Sequence, residues 1–330
     1  MRSRGFTLIE LMISMALFGL IAAGALSLVM SGARMQAHSS RVDVAQTALR
    51  TAIDMITRDV VGASAGAKSG SITNYDGTVH STIDFTDYNN AAGTETWAPV
   101  AHTDRLDLWN VDGSAVAQAN SALAAGATSI PFTYEQGVTG AFAYTTSPYA
   151  SRVQISDLTN AWVVTLTGTP TTSLPVSSLP TTFSGNPYVM PSRHVVYYVS
   201  KAFGEATTNI NGSMLMMQVN DSTAVPLAEG VEDMQIAYGF DNDGSGTLPD
   251  NGNSTDEWLY NAAGDSALSF VIGNLRSVRV TLVVKSTSVD SGQKLFSSPS
   301  EEDHVIGSPT LDGFVRRVLR TEIKVRNFSP

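Results

Sequence analysis

The sequence contains no cysteine. That absence excludes a disulfide framework, thiol chemistry and thiolate metal ligands, so a sizeable core or a bound metal ion must hold the fold together. Histidine is scarce as well. Its five residues are scattered and form no His-x-x-x-His pair. Because no acid, base and nucleophile converge in the pattern, the sequence predicts no enzyme and no catalytic residues.

One run nevertheless fits a catalytic pattern. Residues 62–66, Gly-Ala-Ser-Ala-Gly, match the G-x-S-x-G motif of a hydrolase nucleophile elbow. That elbow needs a strand before the serine and a helix after it. Here a predicted helix precedes the serine and a Gly/Ser-rich loop follows it, so we interpret the run as a helix exit.

Basic residues are outnumbered beyond residue 62, where the chain has 14 Lys and Arg and 26 Asp and Glu. So acidic a region does not favour nucleic acid as a partner. Arg2 and Arg4, by contrast, precede a long apolar segment at the start of the chain. By the positive-inside rule, this asymmetry predicts a cytoplasmic N-terminus and an exported remainder.

That apolar segment runs from Phe6 to Met30 and carries one charge, Glu10. A helix needs about 20 apolar residues to span a bilayer, so the segment is long enough. It is too long for the apolar region of a secretory signal, and no small-x-small cleavage site with a polar start follows it. A carboxylate in a spanning helix costs roughly 2.5–3.5 kcal/mol and usually marks a function or a specific partner.

The sequence Gly5-Phe6-Thr7-Leu8-Ile9-Glu10, after a short basic leader, resembles the class III signal of type IV pilins. The resemblance implies that prepilin peptidase cleaves between Gly5 and Phe6 and methylates the new amine of Phe6. It also implies that Glu10 faces the Phe6 ammonium of a neighbouring subunit in a filament. Two charges buried in an apolar bundle are tolerable only as a pair.

The helix is predicted to continue to about Val61. Apolar residues recur at steps of three and four, which indicates an amphipathic stripe, and Gly62 ends the helix. We therefore divide the chain into a leader (1–5), a transmembrane or filament-core half of the helix (6–30), an amphipathic half (31–62) and a β-rich head (63–330). The stripe comprises Val42, Ala45, Leu49, Ala52, Ile56 and Asp59/Val60.

Strands dominate the head. Residues 63–100 read as loop with one short strand candidate, and five prolines between 170 and 191 predict a loop or a boundary between two lobes. The fold class is α+β: a long N-terminal helix packed on a mainly antiparallel sheet, as in pilins. The predicted strands are 83–85, 105–109, 128–134, 152–156, 161–168, 194–201 paired with 214–219, 231–240, 274–286 and 314–328.

Several segments of the head resemble the PilW family of minor pilins, namely 194–199, 227–235, 238–241 and 325–327. The resemblance implies a minor pilin that joins other minor and major pilins, initiates a type IV pilus and stays at or near its tip. Before assembly it would sit in the inner membrane with its head in the periplasm. Phe6 and Glu10 would carry assembly, and the head would supply subunit contacts and cell adhesion.

Two alternatives stay open. A J-type minor pseudopilin of a type II secretion system shares the signal and the topology. A membrane-anchored adhesive or binding β domain that never polymerises would share only the anchor. The residues do not separate pilus from secretion system.

One segment predicts a metal site. Residues 241–246, Asp-Asn-Asp-Gly-Ser-Gly, match the first half of a calcium loop. Asp241, Asp243 and Ser245 would supply oxygen ligands and Thr247 a carbonyl. Position twelve of the loop, counted from Asp241, is Gly252 rather than the usual bidentate Glu. Asp250, Asp256 or Glu257 would therefore complete the coordination shell of the ion. The alternative is a plain hairpin turn, where Asp, Asn and Gly are common.

Overall fold

The computed structural model describes residues 8–67, 69–84, 103–111, 116–134, 142, 151–158, 160–200, 213–220, 222–250, 257–260, 271–286, 299–302, 304, 311–312 and 314–326. Its contacts divide the chain into two compact units, Met1–Thr47 and Ala48–Pro330. The helix α1 (Leu8–Gly62) contributes to both units.

In the first unit, α1 is long and apolar enough to cross a membrane. The stretch Leu8–Ala33 has 26 residues and a mean hydropathy of 2.2. Its large side chains are exposed: Phe18 is 74% and Leu20 75% accessible. Only a lipid environment or other apolar helices would remove so much apolar surface from water. The predicted apolar N-terminal helix is confirmed.

The second unit is built mainly of strands. Their bounds are β1 (Ser71–Thr73), β2 (Val79–Ser81), β3 (Ile83–Asp84), β4 (Arg105–Val111), β5 (Ala117–Ala119), β6 (Ser129–Tyr134), β7 (Arg152–Ser156), β8 (Ala161–Thr165), β9 (Ser173–Pro175), β10 (Tyr188–Ser200), β11 (Met214–Val219), β12 (Val225–Glu229), β13 (Val231–Phe240), β14 (Trp258–Leu259), β15 (Leu275–Lys285) and β16 (Arg316–Lys324). A 3₁₀ turn at Ile272–Asn274 precedes β15.

Four strands form one antiparallel sheet in the order β14-β13-β15-β16. Alternation decides which face of these strands is packed. In β15, Val278, Val280 and Leu282 are fully buried. Along β16, Ile323 is buried and its neighbours Glu322 and Lys324 are exposed. The predicted pattern of one packed and one wet face is confirmed between Leu319 and Lys324 of β16. It is wrong for β13 and β15, which are buried on both faces: Asp233, Gln235, Thr281 and Lys285 are at most 5% exposed.

The remaining strands form a twelve-stranded sheet connected through β10. The first residues of β10 pair with β7 as far as Pro191, which lies opposite Val153. From Ser192, which lies opposite Val111, β10 pairs with β4 instead. Because proline has no N–H to donate, a change of partners is a place where a strand tolerates it. The predicted hairpin of β10 with β11 is confirmed, with Tyr197 opposite Met217.

Two predicted loops are wrong in part. Between 170 and 191 the structure forms β9 and the start of β10, where Pro175 lies at a strand end and Pro191 at the partner change. Within 63–100 it forms β1 and β2 as well as β3. These two strands have three residues each, too few to show a period of two. Phe85, the predicted end of the third, lies outside the described residues, and the predicted lobe boundary stays a prediction.

The last turns of α1 belong to the core of the second unit. Ile56 and Val60 are fully buried in the same cluster as Ile236 and Val280 of the four-stranded sheet. Burying one such side chain contributes about 1.5–3 kcal/mol. The amphipathic stripe is therefore confirmed from Leu49 onward. A second cluster lies among β5 to β10 and includes Ile130, Ile155 and Phe183.

Candidate functional site

The N-terminal signal is described only from Leu8. The processing residues Gly5 and Phe6 lie outside the described residues. Glu10 is in α1, where the Ser14 hydroxyl donates to the Glu10 backbone carbonyl at 2.7 Å. It is the one acidic residue between Leu8 and Ala33. The segment thus presents a long apolar surface carrying a single acid, which suits insertion into lipid or packing among other helices.

The head end of α1 carries a different buried acid. Asp59 is 2% exposed. Its Oδ1 lies 2.6 Å from Nη1 of Arg193, and its Oδ2 accepts the Tyr197 hydroxyl at 2.6 Å. Burial, and then this hydrogen bond, raise the pKa of Tyr197 above its ordinary value of 10.0. Both partners come from β10, so the contact ties the helix end to the central strand of the larger sheet.

The predicted calcium loop follows β13. Its turn brings three carboxylates together: Asp241, Asp243 and Glu257 offer oxygens that all lie within 4.8 Å of one another. Glu257 directly precedes β14 and lies beside the end of β13, where the Phe240 N–H donates to the Glu257 carbonyl at 2.8 Å. Strand pairing thus fixes Glu257 against Asp241 although 15 residues separate them in the chain.

Short hydrogen bonds hold the turn. Oε1 of Glu257 accepts the N–H of Asn242 at 2.7 Å, and Oδ1 of Asp243 accepts the N–H of Ser245 at 2.8 Å. The bond from Ser245 lowers the pKa of Asp243 below its ordinary value of 3.8, which keeps the carboxylate charged. Gly244 and Gly246, with φ of 73° and 75°, adopt the left-handed conformation that the turn requires.

Ser245, Thr247 and Asp250 make hydrogen bonds of their own, and their part as ligands stays a prediction. Oγ of Ser245 and Oγ1 of Thr247 are 2.9 Å apart and hydrogen-bond each other. The Asp250 carboxylate accepts from Nη2 of Arg279 at 2.9 Å. Asp256 and Gly252 lie outside the described residues. Glu257, which the sequence offered only as one possible completion, is the residue that the structure places with Asp241 and Asp243.

Sequence reasoning missed a polar cavity of about 280 Å³ beside β4 and β10. On its wall Trp109 stacks on His194, with ring centroids 4.3 Å apart, and lies 5.6 Å from His80. Nε2 of His194 is 2.6 Å from Oδ1 of Asp107. None of the described lining residues is a serine, threonine, tyrosine or cysteine. The residues are far apart in sequence and leave no motif.

The G-x-S-x-G run is a helix exit, as predicted. The helix α1 ends at Gly62 and a turn follows it. Ser64 is 2% exposed, and its hydroxyl is hydrogen-bonded to that of Thr82. Since no strand precedes this serine and no helix follows it, the residues do not form a nucleophile elbow.

Comparison with known protein families gives two matches. Residues 196–327 match the family described as Type IV Pilus-assembly protein W, PilW, and residues 1–26 match the Prokaryotic N-terminal methylation motif. No curated protein and no solved structure matches the chain. Both matches agree with the predicted resemblance and confirm it. Neither description names an enzyme.

Proposed function

We propose that this chain, a type IV pilus-related minor pilin with a PilW domain and an N-terminal methylation motif, initiates pilus assembly and remains at or near the tip. The observation that carries the proposal is the combination of an apolar helix bearing one acid with the PilW domain on the same chain. Such a helix can leave the bilayer only if other apolar helices receive it. The partners are therefore other minor pilins and major pilins.

Glu10 supplies the specificity of that step. A carboxylate surrounded by apolar helices needs an opposite charge, and removing one member of a buried pair strands the other at a cost of roughly 3–5 kcal/mol. Cleavage after Gly5 by prepilin peptidase would create that charge, the methylated amine of Phe6 on a neighbouring subunit. By the positive-inside rule, Arg2 and Arg4 support a cytoplasmic cleavage site and a periplasmic head before assembly.

The test is Glu10→Ala in the full-length chain, expressed in a pilus-producing strain. The variant is expected in the inner membrane at normal level, while its recovery from sheared filaments falls more than about tenfold because the buried pair is lost. Ser14→Ala is the matched control on the same helix. N-terminal mass analysis of the wild type is expected to begin at methylated Phe6. A mature chain that keeps residues 1–5 would contradict the proposal.

Two results would identify the alternatives. Wild-type protein that stays in the membrane fraction and is absent from sheared filaments would point to an anchored β domain that does not polymerise. Deletion of the gene distinguishes the remaining two functions: loss of surface pili supports the minor pilin. Loss of protein secretion with intact pili would instead identify a J-type minor pseudopilin.

A further inference from the structure

The acid cluster after β13 is short of positive charge. Asp241, Asp243 and Glu257 bring three carboxylates within 4.8 Å. The one cationic side chain paired with them among the described residues is Arg276, whose Nε lies 3.7 Å from Oδ2 of Asp241. That distance is too long for a good hydrogen bond. One guanidinium against three carboxylates leaves a net charge of about −2, which like-charge repulsion makes unfavourable.

Two oxygens of the cluster are buried and unsatisfied. Among the described residues, Oδ1 of Asp241 and Oε2 of Glu257 have no hydrogen-bond partner. Asp241 is 7% and Glu257 6% exposed. A buried charged oxygen without a partner costs several kcal/mol unless an ion or a donor satisfies it. These atoms belong to the two side chains that strand pairing holds in place. Of their second oxygens, only Oε1 of Glu257 accepts a hydrogen bond within the described part of the chain, from the N–H of Asn242.

We propose that Asp241, Asp243 and Glu257 bind a Ca²⁺ ion that ties the loop after β13 to the start of β14. A divalent cation balances the net charge and supplies the missing partner to both buried oxygens. The donors are carboxylates without imidazole or thiolate, which favours a hard ion over zinc. Calcium accepts irregular shells of six to eight oxygens, whereas magnesium demands a near-octahedral one. Water and nearby carbonyls complete such a shell.

This ligand set differs from a helix-flanked calcium loop. In a helix-flanked loop the last carboxylate ligand is at position twelve. Here that ligand is Glu257, at position seventeen counted from Asp241. It arrives there because β14 pairs with β13, with Trp258 opposite Gly239. Ser245 and Thr247 serve the turn through their mutual hydrogen bond. The ion therefore stabilises the junction of two strands, and the proposal is independent of filament assembly.

Trp258 allows ion binding at the site to be followed by luminescence. It follows Glu257 directly, and tryptophan sensitises the luminescence of Tb³⁺, an ion that replaces Ca²⁺ at oxygen sites. The full-length chain in detergent is stripped with chelator, titrated with Tb³⁺ and then with Ca²⁺. We expect saturable luminescence that Ca²⁺ displaces and that Trp258→Phe weakens. Mg²⁺ at the same concentration is expected to displace little of it.

Thermal unfolding is the second readout, because an ion that binds only the folded state stabilises it. With Ca²⁺ at a hundred times its Kd, Tm is expected to rise by about 5 °C over the chelated protein. Asp243→Asn removes the negative charge of one ligand at an exposed position and so leaves the fold intact. Its Ca²⁺ affinity is expected to fall more than about tenfold, as charge-bearing ligands set affinity.

Asp250→Asn is the matched control, since Asp250 lies in the same loop but pairs with Arg279. Its Ca²⁺ affinity should equal that of the wild type. The proposal is overturned if Ca²⁺ changes neither luminescence nor Tm, or if Asp243→Asn and Asp250→Asn bind Ca²⁺ equally. Either failure leaves the filament proposal untouched, since Glu10 belongs to a separate unit.

Discussion

Arg193 of β10 and Asp59 of α1 form an ion pair at 2.6 Å in the interior of the head. Asp59 sits on the same stripe as Ile56 and Val60, where an acid is otherwise out of place. The Tyr197 hydroxyl occupies its second oxygen at 2.6 Å. An acid buried this way stabilises a fold only while every partner is present. The pair therefore sets the position of the helix end on β10.

Removing the acid should destabilise the head strongly. Asp59→Ala leaves Arg193 and the Tyr197 hydroxyl without their buried partner, and we expect the free energy of unfolding to fall by about 3–5 kcal/mol. Asp59→Asn keeps a hydrogen-bond acceptor and should lose less. Urea unfolding of the full-length chain in detergent, followed by fluorescence, measures the change.

The control for this substitution is Asp54→Asn, an exposed position on the same helix. Its effect should stay within about 0.5 kcal/mol, as for most surface changes. If Asp54→Asn and Asp59→Ala cost the same, the Asp59 contact contributes nothing specific.

Gly230, between β12 and β13, is a second position where we expect a substitution to destabilise the head. Its φ is +76°, and an added Cβ would lie 2.7 Å from the carbonyl oxygen of Lys285. The strand β15, which ends at Lys285, is held close to Gly230 because the Lys285 N–H donates to the Gly230 carbonyl at 2.8 Å. Gly230→Ala therefore adds a backbone clash to the usual cost of about 1–2 kcal/mol for a left-handed residue.

Gly77→Ala separates the two costs. Its φ is +85°, yet nothing lies within 4 Å of an added Cβ. We expect Gly77→Ala to lower the free energy of unfolding only by the cost of a left-handed alanine. Gly230→Ala should lower it by at least about twice as much, as measured by urea unfolding. Equal losses would mean that β15 moves away without cost.

The sequence predicted the long strands because they span several periods of alternation. The bounds of β13 and β7 agree with the prediction residue for residue. By contrast, β14 has two residues and β5 has three, Ala-Gln-Ala, so neither contains a pattern to read. Such strands form because a long neighbour offers free hydrogen-bonding groups. Tertiary context, and not local preference, decides them.

The candidate sites differ in the same way. Asp241 and Asp243 were predicted because their spacing is a local property of one turn. Glu257 reaches them only through the pairing of β14 with β13. His80 and His194 meet at Trp109 because β2 and β10 approach from distant parts of the chain. No spacing rule applies to contacts of that kind.

Arg316 of β16 links stability to pH. It lies 2.7 Å from Asp312 and 2.6 Å from Glu232, and it is largely buried. The hydrogen bonds from Arg316 hold the pKa of Asp312 below its ordinary value of 3.8. A lowered folded-state pKa means that the unfolded chain takes up the proton first. This stabilisation is complete above the ordinary value and is lost as pH falls through the folded-state pKa.

Asp312→Asn should therefore flatten the acid limb of the stability curve. At pH 7 the variant is expected to unfold at lower urea than the wild type, and the difference should shrink as pH falls below 3.8. Urea midpoints measured from pH 7 down to acid unfolding give the comparison. Arg316→Gln is the matched partner: in its background, Asp312→Asn should no longer change the slope. A difference between wild type and Asp312→Asn that stays constant through the acid range would contradict the linkage, because a pair lost on protonation cannot go on stabilising the protonated protein.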